Sequence, residues 1–253
     1  MSKLWLYTNY DCNLTCAYCS VESSPTAPRR ALSLATVQQL IDEAVALDFA
    51  EVFFTGGEPF ILAEIYDMLA YTSTRMKATV LTNAMLLRGW RLDRLNTIKN
   101  DNLIVQVSLD GAQADQHDAF RGVGSFAKTI EGIKALLANG FRVRVATTET
   151  SANSAHLAEV CEFHRALSIP EEDHLIRPLA KRGFSSDGME VSIATLAPEL
   201  TVNVEGVFWH PISTASDMQI SKQIFPLAAA RDRVCEIAEE IARTGAVPLI
   251  TFT

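Results

Sequence analysis

Strand-like apolar runs alternating with helical periods predict an α/β fold on a parallel sheet of six strand–helix units. Two further observations say where its working end lies. Leu103–Leu109 is nearly all apolar, as expected of a parallel strand covered on both faces. In addition, each polar or glycine-bearing signal follows directly on a strand: the loop through Tyr10–Cys19, Gly56–Glu58, Thr82-Asn83, Ser108–Gly111, Thr147–Thr150 and Arg177. In a parallel barrel such loops gather at one end, where active sites lie. Random placement would scatter them over both ends, so they predict one site.

The elements follow in order. Leu4–Tyr7 is the first strand, followed by a cysteine loop and a Pro/Ser-rich linker over Ser23–Arg30. Ser33–Leu47 reads as a helix, with Leu34, Val37, Leu40, Ile41, Ala44 and Val45 on one side. Glu51–Thr55 is the second strand, with a helix after Pro59 running to about Arg75. Ala78–Leu81 is the third, followed by helical sequence from Leu92 to Ile98. Leu103–Leu109 leads to a helix at Ser125–Asn139 that Gly140 stops. Phe141–Ala146 is the fifth strand, Ser154–Leu167 its helix and His174–Arg177 the sixth strand. Beyond these, Leu200–Glu205, Gly206 and Val207–His210 read as strand, turn and strand, and Ser213–Lys222 is polar and strand-like. Cys235 lies in a helix-patterned run with Val234, Ile237 and Ile241.

Composition narrows the function classes. A chain of 253 residues, 48% apolar and 21% charged, can fill the core of one barrel-sized domain. A net charge of −8 argues against a nucleic-acid surface, which is normally basic. No stretch has the length and apolarity of a membrane span, and Met1-Ser2-Lys3-Leu4 begins no signal peptide. An odd number of cysteines, five, with three of them clustered, suits a reducing cytoplasm better than a disulfide framework. The first strand begins almost at Met1, which is expected to leave no room for an N-terminal peptide-recognition domain.

Cys12, Cys16 and Cys19 fall within one short loop after the first strand. Three thiols so spaced can converge on one metal centre. A closed zinc site normally takes four protein ligands, and an iron–sulfur cluster usually takes four thiolates. Three would leave one iron open, which suggests chemistry rather than scaffolding. The competing reading is a helix face of small hydrophobes, since i, i+4, i+7 is helical spacing. Asp11 and Asn13, both turn formers, weigh against it.

Cx3Cx2C with an aromatic residue before the last cysteine resembles the radical S-adenosylmethionine (SAM) superfamily. Gly56-Gly57-Glu58-Pro59 resembles its GGEP motif, and Ser108-Leu109-Asp110-Gly111 resembles the SLDG of its peptide and sulfatase maturases. The resemblance implies a partial (β/α)6 TIM-like barrel over residues 1–185. It also implies a small C-terminal strand-hairpin and helix extension over 186–253, a reduced form of the SPASM/twitch extension. Cys12, Cys16 and Cys19 would hold a [4Fe–4S] cluster. Tyr18, Gly56, Gly57, Glu58, Asn83 and Ser108 would contact SAM, together with Asp110, Arg121 and Arg177. Gly56 and Gly57 would offer carbonyls to the methionine ammonium, with the Glu58 carboxylate near that cation. Ser108 and Arg121 would bind the carboxylate or ribose, and Tyr18 would lie against adenine. For Asp110 a helix-capping turn is an equal alternative. His117 reads as structural. A flavodoxin or ferredoxin-type donor would supply electrons, docked by Arg29 and Arg30 unless these only solvate the surface.

The tail departs from that family pattern, because Cys235 is the only cysteine beyond residue 200. No auxiliary cluster is expected, and Cys161 and His164 read as core residues on one helix face. His210, beside Trp209, is the candidate catalytic residue, for proton transfer or hydrogen bonding to substrate. The expected enzyme is cytoplasmic and oxygen-sensitive. It abstracts hydrogen from a small metabolite or natural-product intermediate, with a peptide as the alternative substrate. A zinc- or iron–sulfur-stabilised binding or electron-transfer module without SAM cleavage is the rival outside that class.

Overall fold

The computed structural model describes residues 3–244. In chain order the elements are β1 (Lys3–Tyr7), α1 (Leu34–Ala46), β2 (Glu51–Thr55), α2 (Ile65–Ser73), β3 (Lys77–Thr82) and α3 (Trp90–Thr97). Then come β4 (Leu103–Ser108), α4 (Ala114–Arg121), α5 (Ser125–Ala138), β5 (Arg142–Glu149), α6 (Leu157–Ala166) and β6 (His174–Pro178). The tail adds β7 (Leu200–Asn203), β8 (Gly206–Phe208), β9 (Gln219–Ser221) and α7 (Leu227–Thr244).

Strand alternation divides the residues of each strand between two faces. Leu4 and Leu6 of β1, Val52 and Phe54 of β2, and Val143 and Val145 of β5 enter the main core beneath the helices. Trp5 and Phe53, side by side in register, stack on the other face with ring centroids 4.3 Å apart. The helices are set by local signals. Ser33 caps α1 by accepting from the Thr36 N–H at 3.1 Å, and Glu43 of α1 accepts from the Leu227 N–H at the start of α7 at 2.6 Å.

The sheet runs β6-β5-β4-β3-β2-β1-β7-β8-β9. Pairing is parallel from β6 through β1 and on to β7, then antiparallel to β8 and β9. It is therefore an open, partial barrel: β1 pairs with β7, and β6 is the free end of the sheet order. The hairpin expected in the tail is present, but it extends the barrel sheet instead of forming a sheet of its own. A second, smaller core lies within the tail, where Leu196, Phe208, Trp209 and Ile212 pack with Met218 and Ile237. Residues 245–253 of the expected extension lie outside the described residues, as do Met1 and Ser2 of the segment checked for a signal peptide.

Several boundaries differ from the sequence reading. The helix α4 was not expected, because Ala114–Arg121 is mostly polar and its Gln113 cap makes no side-chain bond. β5 runs on to Glu149. The segment read as one helix from Ser154 begins with a 3-10 turn and becomes α-helical at Leu157. Among the described residues no helix is long and apolar enough to cross a membrane.

Candidate active site

The cysteine loop and the glycine turn are built against each other at the ends of β1 and β2. Gly57 N–H donates to the Asn9 carbonyl at 2.8 Å, and Glu58 N–H to the Asp11 carbonyl at 3.0 Å. The Asn9 amide donates to the Asp11 carbonyl at 2.8 Å and to the Glu58 carbonyl at 3.2 Å. A Cβ at Gly57 would collide with the Asp11 carbonyl, and one at Gly56, where φ is +147°, with the Asn9 carbonyl. Chain-on-chain contact thus requires both glycines, and both also line the large cavity at this end of the barrel.

Cys12, Cys16 and Cys19 all line that cavity. They sit in irregular turns, with the Cys19 N–H on the Cys16 carbonyl at 3.0 Å and the Glu22 N–H on the Cys19 carbonyl at 3.2 Å. This overturns the helix-face alternative. Backbone N–H groups point at two of the sulfurs, Leu14 to Cys12 at 3.4 Å and Ser23 to Cys19 at 3.2 Å. Such bonds tune cluster ligands. Burial pushes the Cys12 thiol up to about 12 and the Cys16 thiol to about 11, so thiolates here need a cationic centre to balance them. No fourth Cys, and no His, Asp or Glu, lines the cavity among the described residues. Nor do three such side chains meet at the position of a single ion. Three thiols spread around one cavity fit a polynuclear cluster better than a closed zinc site.

Glu58 is fully buried and stands behind the cavity wall, not in it. The sequence reading put its carboxylate beside the ligand. Instead it accepts from Phe60 N–H at 3.2 Å, Thr82 Oγ1 at 2.7 Å and Asn83 N–H at 2.9 Å. It joins the end of β2 to the end of β3. Burial outweighs these bonds and lifts the carboxyl to about 7. Asn83 does line the cavity, and its amide donates to Asn13 Oδ1 of the cysteine loop at 2.8 Å.

A second buried carboxylate, Asp110, also stands behind the wall. It accepts from Tyr18 Oη at 2.5 Å, Arg121 Nε at 2.6 Å and Thr148 N–H at 2.9 Å. Burial alone would raise its pKa, but the Arg121 guanidinium overcomes this and holds it below the usual carboxylate range. The Asp110 N–H donates to His117 Nδ1 at 3.1 Å, and Asn153 Nδ2 to the Asp110 carbonyl at 2.5 Å. Burial drives His117 down to about 4, so it is a neutral acceptor with a structural place. Tyr18, Ser108 and Arg121 do line the cavity, and the Arg121 guanidinium lies 5.3 Å from the Tyr18 ring centroid. Unexpected α4 is what carries Arg121 to this position.

Arg177 lines the cavity from the end of β6. His210 does not, although the next two residues of the tail, Pro211 and Ile212, do. His210 is fully buried, and its Nδ1 accepts from the Ile212 N–H at 3.0 Å. Burial, then the nearby Arg177 charge, lowers it to about 3. Sequence reasoning also passed over Trp5 and Tyr7, which line the cavity from β1. The signal was available in the alternation of the first strand, where Leu4 and Leu6 take the opposite face. Tyr7 Oη donates to the Pro211 carbonyl at 2.6 Å, fastening the tail over the barrel mouth. Arg29 pairs with Asp11 at 2.6 Å, and Arg30 pairs with Glu205 and lies over the Tyr10 ring. Both have intramolecular work at the cysteine loop.

Comparison with known proteins follows the same outline. The radical SAM superfamily matches the chain over residues 6–151. The antilisterial bacteriocin subtilosin biosynthesis protein AlbA of Bacillus subtilis is 37% identical over 161 residues, covering 62% of this chain and 35% of that protein. The AdoMet-dependent heme synthase of Methanosarcina barkeri is 29% identical over 185 residues, 72% of this chain and 52% of that protein. Among solved structures, Streptococcus suis SuiB bound to S-adenosylmethionine superposes with a TM-score of 0.61 at 20% identity, over 96% of this chain and 48% of that one. At that identity the likeness is one of fold. The chain spans about half the length of these relatives, or less.

Proposed function

The chain belongs to the radical SAM superfamily, whose enzymes use a [4Fe–4S] cluster and SAM, and from that premise we propose that it takes hydrogen from a small metabolite or natural-product intermediate. Cys12, Cys16 and Cys19 hold the cluster in this reading. Bound there, the cluster and SAM together would supply the radical chemistry that removes hydrogen from the substrate. Gly56 and Gly57 offer backbone to the methionine end of the cofactor, Ser108 and Arg121 to its carboxylate or ribose, and Tyr18 to its adenine, with Asn83 at the same wall. Glu58 and Asp110 act one layer back, as positioning residues. His210 holds the turn that carries Pro211 and Ile212 over the mouth, where they keep water from the cavity. In this reading residues 186–253 form the C-terminal extension of the barrel domain.

The observation that supports the reading most is the convergence of three thiols, the glycine turn, Ser108 and Arg121 on one cavity. A peptide substrate is the second reading. An open groove lined by Phe120, Glu149, Phe184 and Met189 meets the cavity at Pro178 and Leu179, and the likeness to a bacteriocin biosynthesis protein points the same way. Anaerobic incubation of the reconstituted protein with SAM and dithionite tests the common part. It should form 5′-deoxyadenosine, and an intact cluster with none formed would end the proposal.

A further inference from the structure

We infer that the groove beside the cavity binds a peptide segment in which a lysine or arginine stands next to apolar residues, with Glu149 and Asp187 receiving the cation. The inference rests on the second, peptide reading of the function and adds the charge of the substrate to it. Groove and cavity share Pro178 and Leu179 in their walls, so one ligand can occupy both.

Charge is the first argument, because its sign reverses where the two spaces meet. No Asp or Glu lines the cavity among the described residues, and its basic side chains are Arg121 and Arg177. In the groove the charged side chains are Glu149 and Asp187, and no Lys, Arg or His lines it among the described residues. Both carboxylates are exposed. The cations of the adjoining loop are engaged elsewhere. Lys181, which feels the charge of Asp187, is held by Glu190 at 2.8 Å, and Arg182 by Asp217 at 2.7 Å. A cationic side chain is therefore drawn to the groove and turned away from the cavity, which sets the register of the peptide.

Shape is the second argument. The groove holds about 590 Å³, against about 210 Å³ in the cavity. That room suits a chain segment of which only the reacting residue passes inward. Phe184, 44% exposed, gives the two carboxylates an apolar flank together with Phe120 and Met189. The stem of a lysine or arginine can lie along such a flank with its charged head at an acid. The walls are held in place by backbone bonds. Phe184 N–H donates to the Cys19 carbonyl at 3.1 Å, Ala17 N–H to the Phe120 carbonyl at 2.8 Å and Met189 N–H to the Leu179 carbonyl at 2.8 Å. Gly183, at φ +59°, packs so closely that a Cβ there would strike the Cys19 carbonyl. A segment seated in the groove thus rests on the loop that carries the three thiols. A free amine shares the cationic group but has no body to fill the apolar length.

Calorimetric titration of the full 253-residue chain, reconstituted anaerobically and saturated with SAM, decides the matter. The probes are acetyl-Leu-Phe-Lys-Phe-Leu-amide, its counterparts with Gln or Glu in place of Lys, and pentylamine. The Lys peptide should bind about fivefold more tightly than the Gln peptide, and the Glu peptide should bind least. The advantage should shrink in high salt, because both carboxylates are exposed. Glu149→Gln combined with Asp187→Asn should remove it while apolar binding remains. Equal affinity for the Lys and Gln peptides, or no peptide binding at all, would overturn the inference. So would a preference that survives the double variant, or pentylamine binding as tightly as the Lys peptide. If the double variant does not fold, the wild-type ratios and their salt dependence still decide. Formation of 5′-deoxyadenosine with dithionite is scored separately, so its absence would strike the proposed function without being mistaken for loss of charge preference.

Discussion

Glu58 follows β2 and Asp110 follows β4, and the two carboxylates do the same mechanical work in opposite electrostatic settings. Each is fully buried behind the cavity wall, and each ties its own loop to the end of the next strand. Only Asp110 has a cation, Arg121, at 2.6 Å. Burial therefore wins at Glu58 and lifts it to about 7, while at Asp110 the guanidinium wins and the carboxyl falls below its ordinary range. Hydrogen bonds from backbone and hydroxyl groups orient a buried carboxylate, but they do not keep it ionised against desolvation. A nearby positive charge does.

The sharpest way to break this contrast is Asp110→Asn. It leaves Arg121 buried without its counter-charge and should cost about 3–5 kcal/mol in urea denaturation at neutral pH. A loss no larger than that of Glu58→Gln would mean that the ion pair adds nothing. The second test is the pH profile. Glu58 has a raised folded pKa, so its contribution is fully present below the ordinary value near 4.5 and is lost as pH rises through about 7. The loss amounts to about 3 kcal/mol. Asp110 has the opposite sign: its contribution is present above its ordinary value and is lost as pH falls through its lowered one. Glu58→Gln should flatten the neutral limb and leave the acid limb, which Asp110 shares with Asp11 and Asp118. A wild-type profile already flat across the neutral limb would refute the Glu58 half of the contrast. The smallest effect is expected at Arg29→Ala. Its partner Asp11 also carries a carboxylate–arginine pair, but the Arg29 side chain is 60% exposed. The change should cost less than about 1 kcal/mol, and less again in high salt.

Much of this site was legible in the sequence because it sits on local signals. Cys12, Cys16, Cys19, Gly56, Gly57, Asn83, Ser108 and Arg177 lie at or beyond the ends of strands, Arg121 lies on α4, and the barrel brings them all to one cavity. What was not legible has a common cause. Periodicity says that Leu4 and Leu6 share a buried face, but it does not say that the other face, Trp5 and Tyr7, looks into a cavity. The GGEP and SLDG patterns mark loops, but they do not tell which residues of each loop face a ligand. The glycines and Ser108 line the cavity, whereas Glu58 and Asp110 turn inward to hold the loops in place. The polar helix α4 escaped because its sequence lacks both a cap and a clear apolar stripe.

Fold class, the six strand–helix units, the thiol loop and the end of the barrel that carries chemistry were determined by the sequence itself. Each rests on neighbours a few residues apart, through strand alternation, helical spacing and turn chemistry. The tertiary structure alone decided that β7 pairs with β1 across nearly the whole chain, and that Pro211 and Ile212 roof the cavity. It alone decided that Arg121, not Lys or His, is the charge set against Asp110. Those outcomes depend on which distant surfaces meet and which charges lose their water on meeting, and no local pattern of residues records either.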